Sequence, residues 1–285
     1  MSEAQIIYTP NGPQTVLNAG SFRVIRLMWG ELVGSRELTL RLFARDFKGK
    51  YRQSMLGVAW AVLLPAVTIG VFIGMRSSGL LNIGDVGVPY PLHALIGLAV
   101  WNLFSSGLTS SASALTSAGG MISKINFPKV SLIIAATGQA VVELCIRMLL
   151  IATLFLYYQV APHPTGLLIG VVCMLPLYLM MAGIGFIVSL IAGVLRDVAD
   201  LLNVALLGLM LMTPILYPIA ADSFLGRANF WNPLNYLVNV PRDFILQGHT
   251  LYMAEYGVSV IVSFLVAYLG ARLFYLAQTR IAERI

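Results

Sequence analysis

Few residues in this sequence combine a reactive type with a spacing that suits chemistry. Glu143 and Arg147 lie four residues apart within one apolar stretch, so a helix would place both on one face, in the favourable acid-first order. Each ion alone at the centre of a bilayer costs roughly 2.5–3.5 kcal/mol on insertion scales, and pairing relieves much of that cost. We expect this intramembrane ion pair to face protein or water, either as a functional site or as a structural clasp between helices.

Patterns for catalysis and metal binding are scarce elsewhere. The histidines His93, His163 and His249 have no Cys, Asp or Glu at metal-ligand spacing, so we predict no metal site and no catalytic residue. A membrane-embedded enzyme would need paired carboxylates for acid and base catalysis, and Asp197 and Asp200 are the candidates. No supporting base or metal cluster accompanies them. No G-x-x-x-x-G-K-S/T phosphate loop occurs, so the chain itself should need no cofactor, and any ATP and Mg²⁺ should bind a separate polypeptide.

The elements that must position these residues are membrane-spanning helices. Of the 285 residues, 58% are hydrophobic and only 11% are charged, and the mean hydropathy is +0.84. A soluble domain usually carries about a quarter charged residues. The apolar residues fall in runs long enough to cross roughly 30 Å of hydrocarbon. We therefore predict an all-α integral membrane protein with six transmembrane helices, at about residues 54–75, 92–112, 131–157, 167–193, 201–219 and 257–277.

The residues before the first apolar run divide into two parts. Residues 1–21 are polar and contain Pro10, Gly12 and Pro13, which predicts a flexible cytoplasmic tail. Over residues 22–53 apolar side chains recur at helical spacing, with Arg and Lys on the other faces. That pattern is typical of an amphipathic helix in the membrane interface. A solvated cytosolic helix is the alternative.

The basic residues predict the orientation of the chain. Most of the eighteen Lys and Arg residues flank the span ends that share a side with the leader, and basic loops stay cytoplasmic. Both termini are therefore predicted to be cytoplasmic. Anionic lipid headgroups or a cytosolic protein explain the net charge of +6 better than nucleic acid does, because these residues border membrane segments.

The segment between the fifth and sixth predicted spans is unusual for an external loop. It is about forty residues long and rich in apolar and aromatic residues, and Pro218, Asn232-Pro233 and Pro241 interrupt it. Non-helical backbone at membrane depth persists only when it is buried in protein or lines a water-filled cavity. We predict two short re-entrant or interfacial helices before the last span, with an aromatic belt on an ordinary loop as the alternative.

The connection between the second and third spans is short, basic and amphipathic, and a proline stops it. Such a segment suits a helix-in-groove contact with a partner protein, or equally a loop held near anionic lipid. Its spacing does not decide between the two. The residues concerned are Lys124, Ile125, Asn126, Phe127, Pro128 and Lys129.

Together these features make the chain resemble the membrane subunits of bacterial ABC-2 type polysaccharide exporters. That family moves lipid-linked O-antigen, capsule or teichoic acid polymers. The resemblance makes residues 54–285 an ABC-2 type six-span transmembrane domain. The matching motifs follow the family's order over about residues 36–248: Arg45–Arg52 with Ser54, Leu56-Gly57 and Trp60; Phe127-Pro128; Arg196-Asp197; Thr213–Pro218; and Asn232-Pro233 with Arg242.

The resemblance implies a transporter subunit rather than an enzyme. It implies a homodimer in the bacterial inner membrane, bound to two copies of a separate ABC ATPase that holds ATP and Mg²⁺. Residues 124–129 would couple to that ATPase, and the 220–247 region would gate the exit. The ligands would be a lipid-linked polysaccharide and membrane lipids, with no nucleic acid.

The resemblance also suggests roles for two groups of side chains. Arg36, Arg41 and Arg45 would attract the phosphates of the lipid linker at the substrate entrance. Flat aromatic faces suit sugar rings, although lipid-interface anchoring is an alternative for each aromatic residue. The channel candidates are Tyr90, Trp101, Phe104, Phe230, Trp231 and Tyr236.

Three other functions stay open at this point. An ABC-2 permease for a small hydrophobic molecule would have a narrow apolar path. A membrane-embedded enzyme of cell-envelope synthesis would need paired carboxylates near a membrane face. An ion-coupled flippase would need more intramembrane charges than the single pair Glu143 and Arg147.

Overall fold

The computed structural model of the chain describes residues 6–9, 12–15, 21–52, 57–79, 87–122, 127–195, 197–216 and 223–281. Helices dominate these residues, which confirms the predicted helical fold class, with one exception. The exception is a short hairpin in which β1 (Ile6–Thr9) pairs antiparallel with β2 (Gly12–Thr15), so that Ile6 lies opposite Thr15. This hairpin lies within the segment 1–21, for which the sequence predicted a flexible tail.

The described residues form twelve α-helices, numbered in chain order. A 3-10 turn at Gly57–Ala59 precedes the third helix. The helices are α1 (Ser21–Gly34), α2 (Arg36–Arg52), α3 (Trp60–Ser77), α4 (Tyr90–Ser117), α5 (Gly119–Ile122), α6 (Val130–Tyr158), α7 (Pro164–Val172), α8 (Leu175–Ala192), α9 (Val198–Met212), α10 (Phe224–Phe230), α11 (Pro233–Gln247) and α12 (Met253–Ile281).

Four of these helical segments are long and apolar enough to cross a membrane: α4, α6, α7 joined to α8, and α12. A helix of 28 residues, such as α4, is about 42 Å long, which exceeds the roughly 30 Å of hydrocarbon. α7 and α8 act as one segment because only the turn at Cys173 and Met174 separates them. Two apolar helices are shorter, over Val62–Met75 within α3 and Val198–Met212, which is α9.

α4 lies at the centre of the bundle, with α6 and α8 packed closely against it and α3, α9 and α11 at its margins. Every residue from Ala94 to Trp101 in its N-terminal half is buried. α8 and α12 form another close pair, because a Cβ on Gly270 would lie only 2.1 Å from the carbonyl oxygen of Gly183. Glycine at both positions lets the two backbones touch.

The leader helices α1 and α2 pack on this bundle. Val24 of α1 and Leu42 of α2 are buried in a second apolar core, together with residues of α4, α6, α8 and α12. The Tyr275 hydroxyl of α12 donates a 2.6 Å hydrogen bond to Glu31 Oε1 of α1. Apolar and polar contacts together fix the leader to the spans.

α2 runs alongside the first half of α6 in the same chain direction. Near one end the hydroxyls of Ser35 and Ser131 lie 3.0 Å apart. At the other end the ammonium of Lys50 contacts Glu143. The leader therefore forms helices that are packed against protein, while its position in the membrane interface stays a prediction.

Candidate functional site

One side of α4 carries hydroxyl and amide side chains at helical spacing, toward the end that leads to α5. Most of them donate to a carbonyl oxygen about one turn back, as Ser106 does to Asn102 O at 2.6 Å. Such local bonds let polar side chains occupy a helix in an apolar bundle. We call this set the hydroxyl row; it consists of Asn102, Ser105, Ser106, Thr109, Ser110, Ser113, Thr116 and Ser117.

The part of the hydroxyl row from Asn102 to Ser110 forms the floor of a groove between α3 and α9. The groove comprises two cavities of about 300 and 430 Å³, and Lys50, Asn102 and Met210 line both of them. Trp60 and Leu64 of α3 line the smaller cavity. The wall on the α9 side of the larger cavity is formed by Asn203, Leu206, Leu207 and Met210.

Lys50, Glu143 and Arg147 form a charge cluster in this groove. Lys50 Nζ contacts Glu143 Oε1, and Arg147 Nη2 lies 3.3 Å from Glu143 Oε2. The Glu143 and Arg147 side chains are only 6% and 8% exposed, whereas that of Lys50 is 43% exposed. Two cations thus share one carboxylate near the middle of α6. The spacing of Glu143 and Arg147 had suggested that they lie side by side, whereas Lys50 comes from the distant α2.

At the other end of the bundle, the segment that follows α9 is held by hydrogen bonds from α4 and from α11 with its N-cap residue. Thr213, Ile215 and Leu216 of this segment are buried. We call the arrangement the external anchor, after the side of the membrane on which the sequence predicts it. Its hydrogen bonds are from the Asn232 amide to Thr213 Oγ1 at 3.1 Å, from Arg242 Nη1 to Ile215 O at 3.1 Å, and from the Tyr90 hydroxyl to Leu216 O at 2.9 Å.

Arg242 is the charged member of the external anchor. Its Nε lies 3.8 Å from Asp243 Oδ1, and the Thr250 hydroxyl donates to Asp243 Oδ2 at 3.2 Å. Burial lowers the pKa of the Arg242 guanidinium to about 10, against the opposing effect of Asp243. Burial also raises the pKa of the Asp243 carboxyl, and Arg242 offsets part of that rise. The guanidinium still carries its charge at neutral pH and directs it at a backbone carbonyl.

The predicted linker-phosphate residues Arg36, Arg41 and Arg45 are exposed on α2. Arg41 Nη2 lies 2.7 Å from Glu37 Oε1, and Arg45 Nε lies 2.7 Å from Asp46 Oδ1. Exposed pairs of this kind hold their partners weakly. The three arginines present a basic surface, and their role toward phosphate stays a prediction.

The six predicted channel aromatics divide by burial. Among the buried ones, Trp101 also lines the larger cavity of the groove. A sugar path along the other buried residues would have to open within the subunit, because packing inside this chain already covers them. The exposed pair has its ring centroids 5.5 Å apart, at right angles. The buried residues are Tyr90, Trp101, Phe104 and Tyr236, and the exposed pair is Phe230 and Trp231.

The predicted coupling segment is only partly described by the structure. Lys124, Ile125 and Asn126 lie outside the described residues. Phe127 is buried in the second apolar core, so its side chain supports the segment from inside. Burial lowers the pKa of the Lys129 ammonium, which lies just before α6. The docking role of residues 124–129 stays a prediction.

One of the three histidines caps a helix. His163 caps α7, because its Nδ1 accepts from the Gly166 amide at 3.2 Å. Within the described parts of the chain, no three His, Cys, Asp or Glu side chains lie close enough together to hold a metal ion.

Comparison with protein families identifies the chain. A model of the ABC-2 type transporter family matches residues 37–246. The chain belongs to this family. It is therefore a multi-pass membrane protein, and the groove, the charge cluster and the external anchor all lie within or at the matched region. The resemblance given by the sequence motifs is confirmed.

Several curated ABC-2 relatives share most of their length with this chain. An O-antigen export system permease protein RfbA from Myxococcus xanthus is 27% identical over 238 residues, which cover 81% of this chain and 88% of the relative. The RfbA protein of Klebsiella pneumoniae is 24% identical over 253 residues, covering 87% and 94%. The polysialic acid transport protein KpsM of Escherichia coli is 23% identical over 224 residues, covering 77% and 83%.

Sequence reasoning about this ABC-2 chain missed three features of the site. The hydroxyl row had a readable signal, since Ser, Thr and Asn recur every three or four residues along one apolar segment. The contact of Lys50 with Glu143 had none, because the two residues are 93 positions apart in the chain. The external anchor likewise joins motifs that the sequence presents separately.

Proposed function

We propose that this chain is the membrane-spanning permease subunit of an ATP-driven exporter of polysaccharide. Its family and the export and transport functions named for its relatives support this proposal. The observation that carries it is the groove, because an apolar bundle here keeps a hollow floored by hydroxyl and amide groups. Sugar hydroxyls can exchange hydrogen bonds along such a floor. The walls of the groove are mostly apolar, and a small hydrophobic cargo would not need the polar floor.

The groove also supports a homodimer. Both flanking helices leave apolar side chains exposed, as at Val67 of α3 and at Leu207 of α9. α9 has 15 residues, about 22 Å of helix, and Leu206 is its one buried residue. Although the hydroxyl row keeps its hydrogen bonds within α4, the partly exposed ammonium of Lys50 would lose its hydration next to hydrocarbon if the groove stayed open along its side. A second copy would close it, with α3 and α9 as the fifth and sixth membrane crossings of each copy.

ATP hydrolysis would come from two copies of a separate ABC ATPase that binds ATP and Mg²⁺. The basic, exposed surface of α2 and residues 124–129 would form its docking face on the cytoplasmic side, where both termini would also lie. Leader contacts such as Tyr275 with Glu31 would carry a movement of that face into α6 and α12, as a rigid-body shift.

The cargo would be linked to a lipid, and the site would lie in the bacterial inner membrane. α1 and α2 would lie at the cytoplasmic interface, where Arg36, Arg41 and Arg45 attract anionic linker groups. On the far side, α10 and α11 would cover the exit as re-entrant or interfacial helices. There the exposed pair Phe230 and Trp231 would meet sugar rings.

Loss and restoration of export test this function. Deleting the gene in the native host should trap polymer in the cytoplasm, and the wild-type gene should return it to the cell surface, measured by extraction of surface polysaccharide. The double variant Ser106→Leu/Ser110→Leu should insert normally but restore little export, because leucine fills the groove. Ser77→Leu, at the exposed end of α3, is the matched control. Unchanged surface polymer in the deletion strain would exclude the proposed function.

A further inference from the structure

Among the described residues that line the groove, cations outnumber carboxylates. Of the described residues that line its two cavities, the ionisable ones are Lys50, Glu143 and Arg147, which are two cations and one carboxylate. Glu143 and Arg147 are almost fully buried, so Lys50 presents the excess charge to the hollow. In surroundings of low dielectric constant such a charge attracts an anion strongly.

The groups beside this charge have hydrogen-bonding capacity for a ligand. An ammonium carries three N–H donors, and the contact of Lys50 with Glu143 uses one of them. The amide of Asn102 has two N–H donors, and one of them binds Leu98 O at 2.7 Å. Lys50 and Asn102 both line both cavities, so a ligand at their junction can reach the two side chains together.

We propose that Lys50, with Asn102, binds a phosphate group of the exported molecule at the inner end of the hydroxyl row; this inference rests on the proposed function. A lysine ammonium binds phosphate as a point charge. Phosphate offers several acceptor oxygens, enough for the ammonium, the amide and a hydroxyl of the row at once. A sugar carboxylate carries a single charge and offers only two acceptor oxygens, which are too few to reach the ammonium, the amide and a hydroxyl at once, so phosphate is the better fit.

The location of the cluster adds a functional reason. The hydroxyl row runs from Asn102, in the middle of α4, to Ser117 at the end of the helix near α5, and its exposure increases in that direction. On the other side of Asn102, toward Tyr90, most residues of α4 are buried. A phosphate group that moves along the row from the α5 end would therefore meet Lys50 where the groove closes, below the external anchor.

Binding of farnesyl diphosphate to the complete transporter, in nanodiscs of phosphatidylcholine, tests this site. Equilibrium binding should weaken about tenfold in Lys50→Gln, since one charge-assisted contact is lost. Lys50→Arg should keep most of the affinity. Lys48→Gln makes the same charge change two residues away on an exposed position and should bind like the wild type. Equal binding by the wild type and by Lys50→Gln would overturn the proposal.

Further ligands define the chemistry and its source. Farnesol should not bind, because it lacks phosphate. Farnesyl diphosphate binding tighter than inorganic pyrophosphate would assign the site to a lipid-linked phosphate, and equal binding would assign it to free phosphate; both results support a phosphate site. N-acetylneuraminic acid that displaces the probe as well as pyrophosphate does would overturn the assignment to phosphate.

A measurement on the folded wild type covers the case in which Lys50→Gln fails to fold. Trp60 lines the cavity next to Lys50, whereas Trp29 is exposed on α1. Farnesyl diphosphate should change the tryptophan fluorescence of the wild type and of Trp29→Phe equally, and it should change that of Trp60→Phe less, because only Trp101 of the larger cavity then remains beside the site. Absence of a Trp60-dependent change at saturation would refute the site. Export by a wild-type complex that binds no phosphate would end this inference and leave the proposed function standing.

Discussion

Arg147 and Arg242 are equally buried, each 6% exposed when the whole residue is counted, but they have different partners. Arg147 pairs with the side chain of Glu143 one turn away on the same helix, at the edge of a hollow. Arg242 donates to the backbone carbonyl of Ile215, on a segment 27 residues away, inside a packed region. Arg147 forms part of the lining of a groove, and Arg242 joins α11 to the segment that follows α9.

The difference shows how the two ends of the bundle are built. A side-chain partner such as Glu143 can change its contacts by rotation, and a ligand in the groove can compete for it. A backbone carbonyl such as Ile215 O moves only with its whole segment. The half with the groove is therefore adaptable, and the half with the external anchor is closed by fixed contacts. An exporter in this state would be open toward the α5 end and shut at the other.

Replacing Arg242 should have the largest effect. Arg242→Met keeps the length of the side chain but leaves Ile215 O without this donor and Asp243 without its nearby cation. Removing one partner of a buried charged contact typically costs about 3–5 kcal/mol, so we expect a loss near 3 kcal/mol in the free energy of unfolding. Thermal unfolding in mild detergent measures it. Arg227→Met, at an exposed position of α10, is the control, and equal melting of the two variants would contradict the external anchor.

Replacing Glu143 should destabilise the protein less. Glu143→Gln leaves the cations of Lys50 and Arg147 facing a neutral amide, but the partly exposed Lys50 can turn toward water. We expect a loss of about 2 kcal/mol, within the range for a buried group that loses its partner. If Glu143→Gln melted below Arg242→Met in the same detergent, the proposed ranking of the two halves would be reversed.

Removing one neutral hydrogen bond of the external anchor should cost about 1 kcal/mol. Tyr90→Phe deletes the hydroxyl that donates to Leu216 O and retains the buried ring. Tyr157→Phe makes the same change at an exposed position and should leave the melting temperature unchanged. The difference between the two melting temperatures measures how much the Tyr90 hydroxyl stabilises the protein. No difference would mean that this hydroxyl contributes nothing to stability.

The hydroxyl row should be the least sensitive part in stability. Ser106→Ala removes a donor whose acceptor, Asn102 O, still lies within the helical ladder, so unfolding should change by less than about 0.5 kcal/mol. Export of polymer should fall even so, because the groove loses a hydroxyl. A large loss of stability with normal export would show that the row serves packing rather than cargo.

The positions of the long helices were predictable because their signal is local. The predicted span 131–157 corresponds to α6 (Val130–Tyr158), and 257–277 lies within α12 (Met253–Ile281). Long apolar runs specify such helices without reference to the rest of the chain. α3 and α9 are shorter apolar helices, and their crossing of the membrane stays a proposal. The two short helices predicted before the last span are present as α10 and α11.

The candidate site was predictable only where its contacts are local. Glu143 and Arg147 could be placed together because four residues make one helical turn. The burial of Tyr90 and Phe104 could not be predicted from the sequence, since an aromatic residue in a span can face lipid, a channel or a neighbouring helix. α4 decides this by its central position, which encloses both side chains.

The order of residue types alone determined that this chain is a helical membrane protein of the ABC-2 kind, because hydropathy and turn chemistry act between near neighbours. Packing decided which polar residues share a cavity and which side chains hold the closed end. Lys50 reaches Glu143, and Arg242 reaches Ile215, only after separate helices come together. Contacts between distant segments depend on how several apolar faces fit at once, and no local pattern encodes that fit.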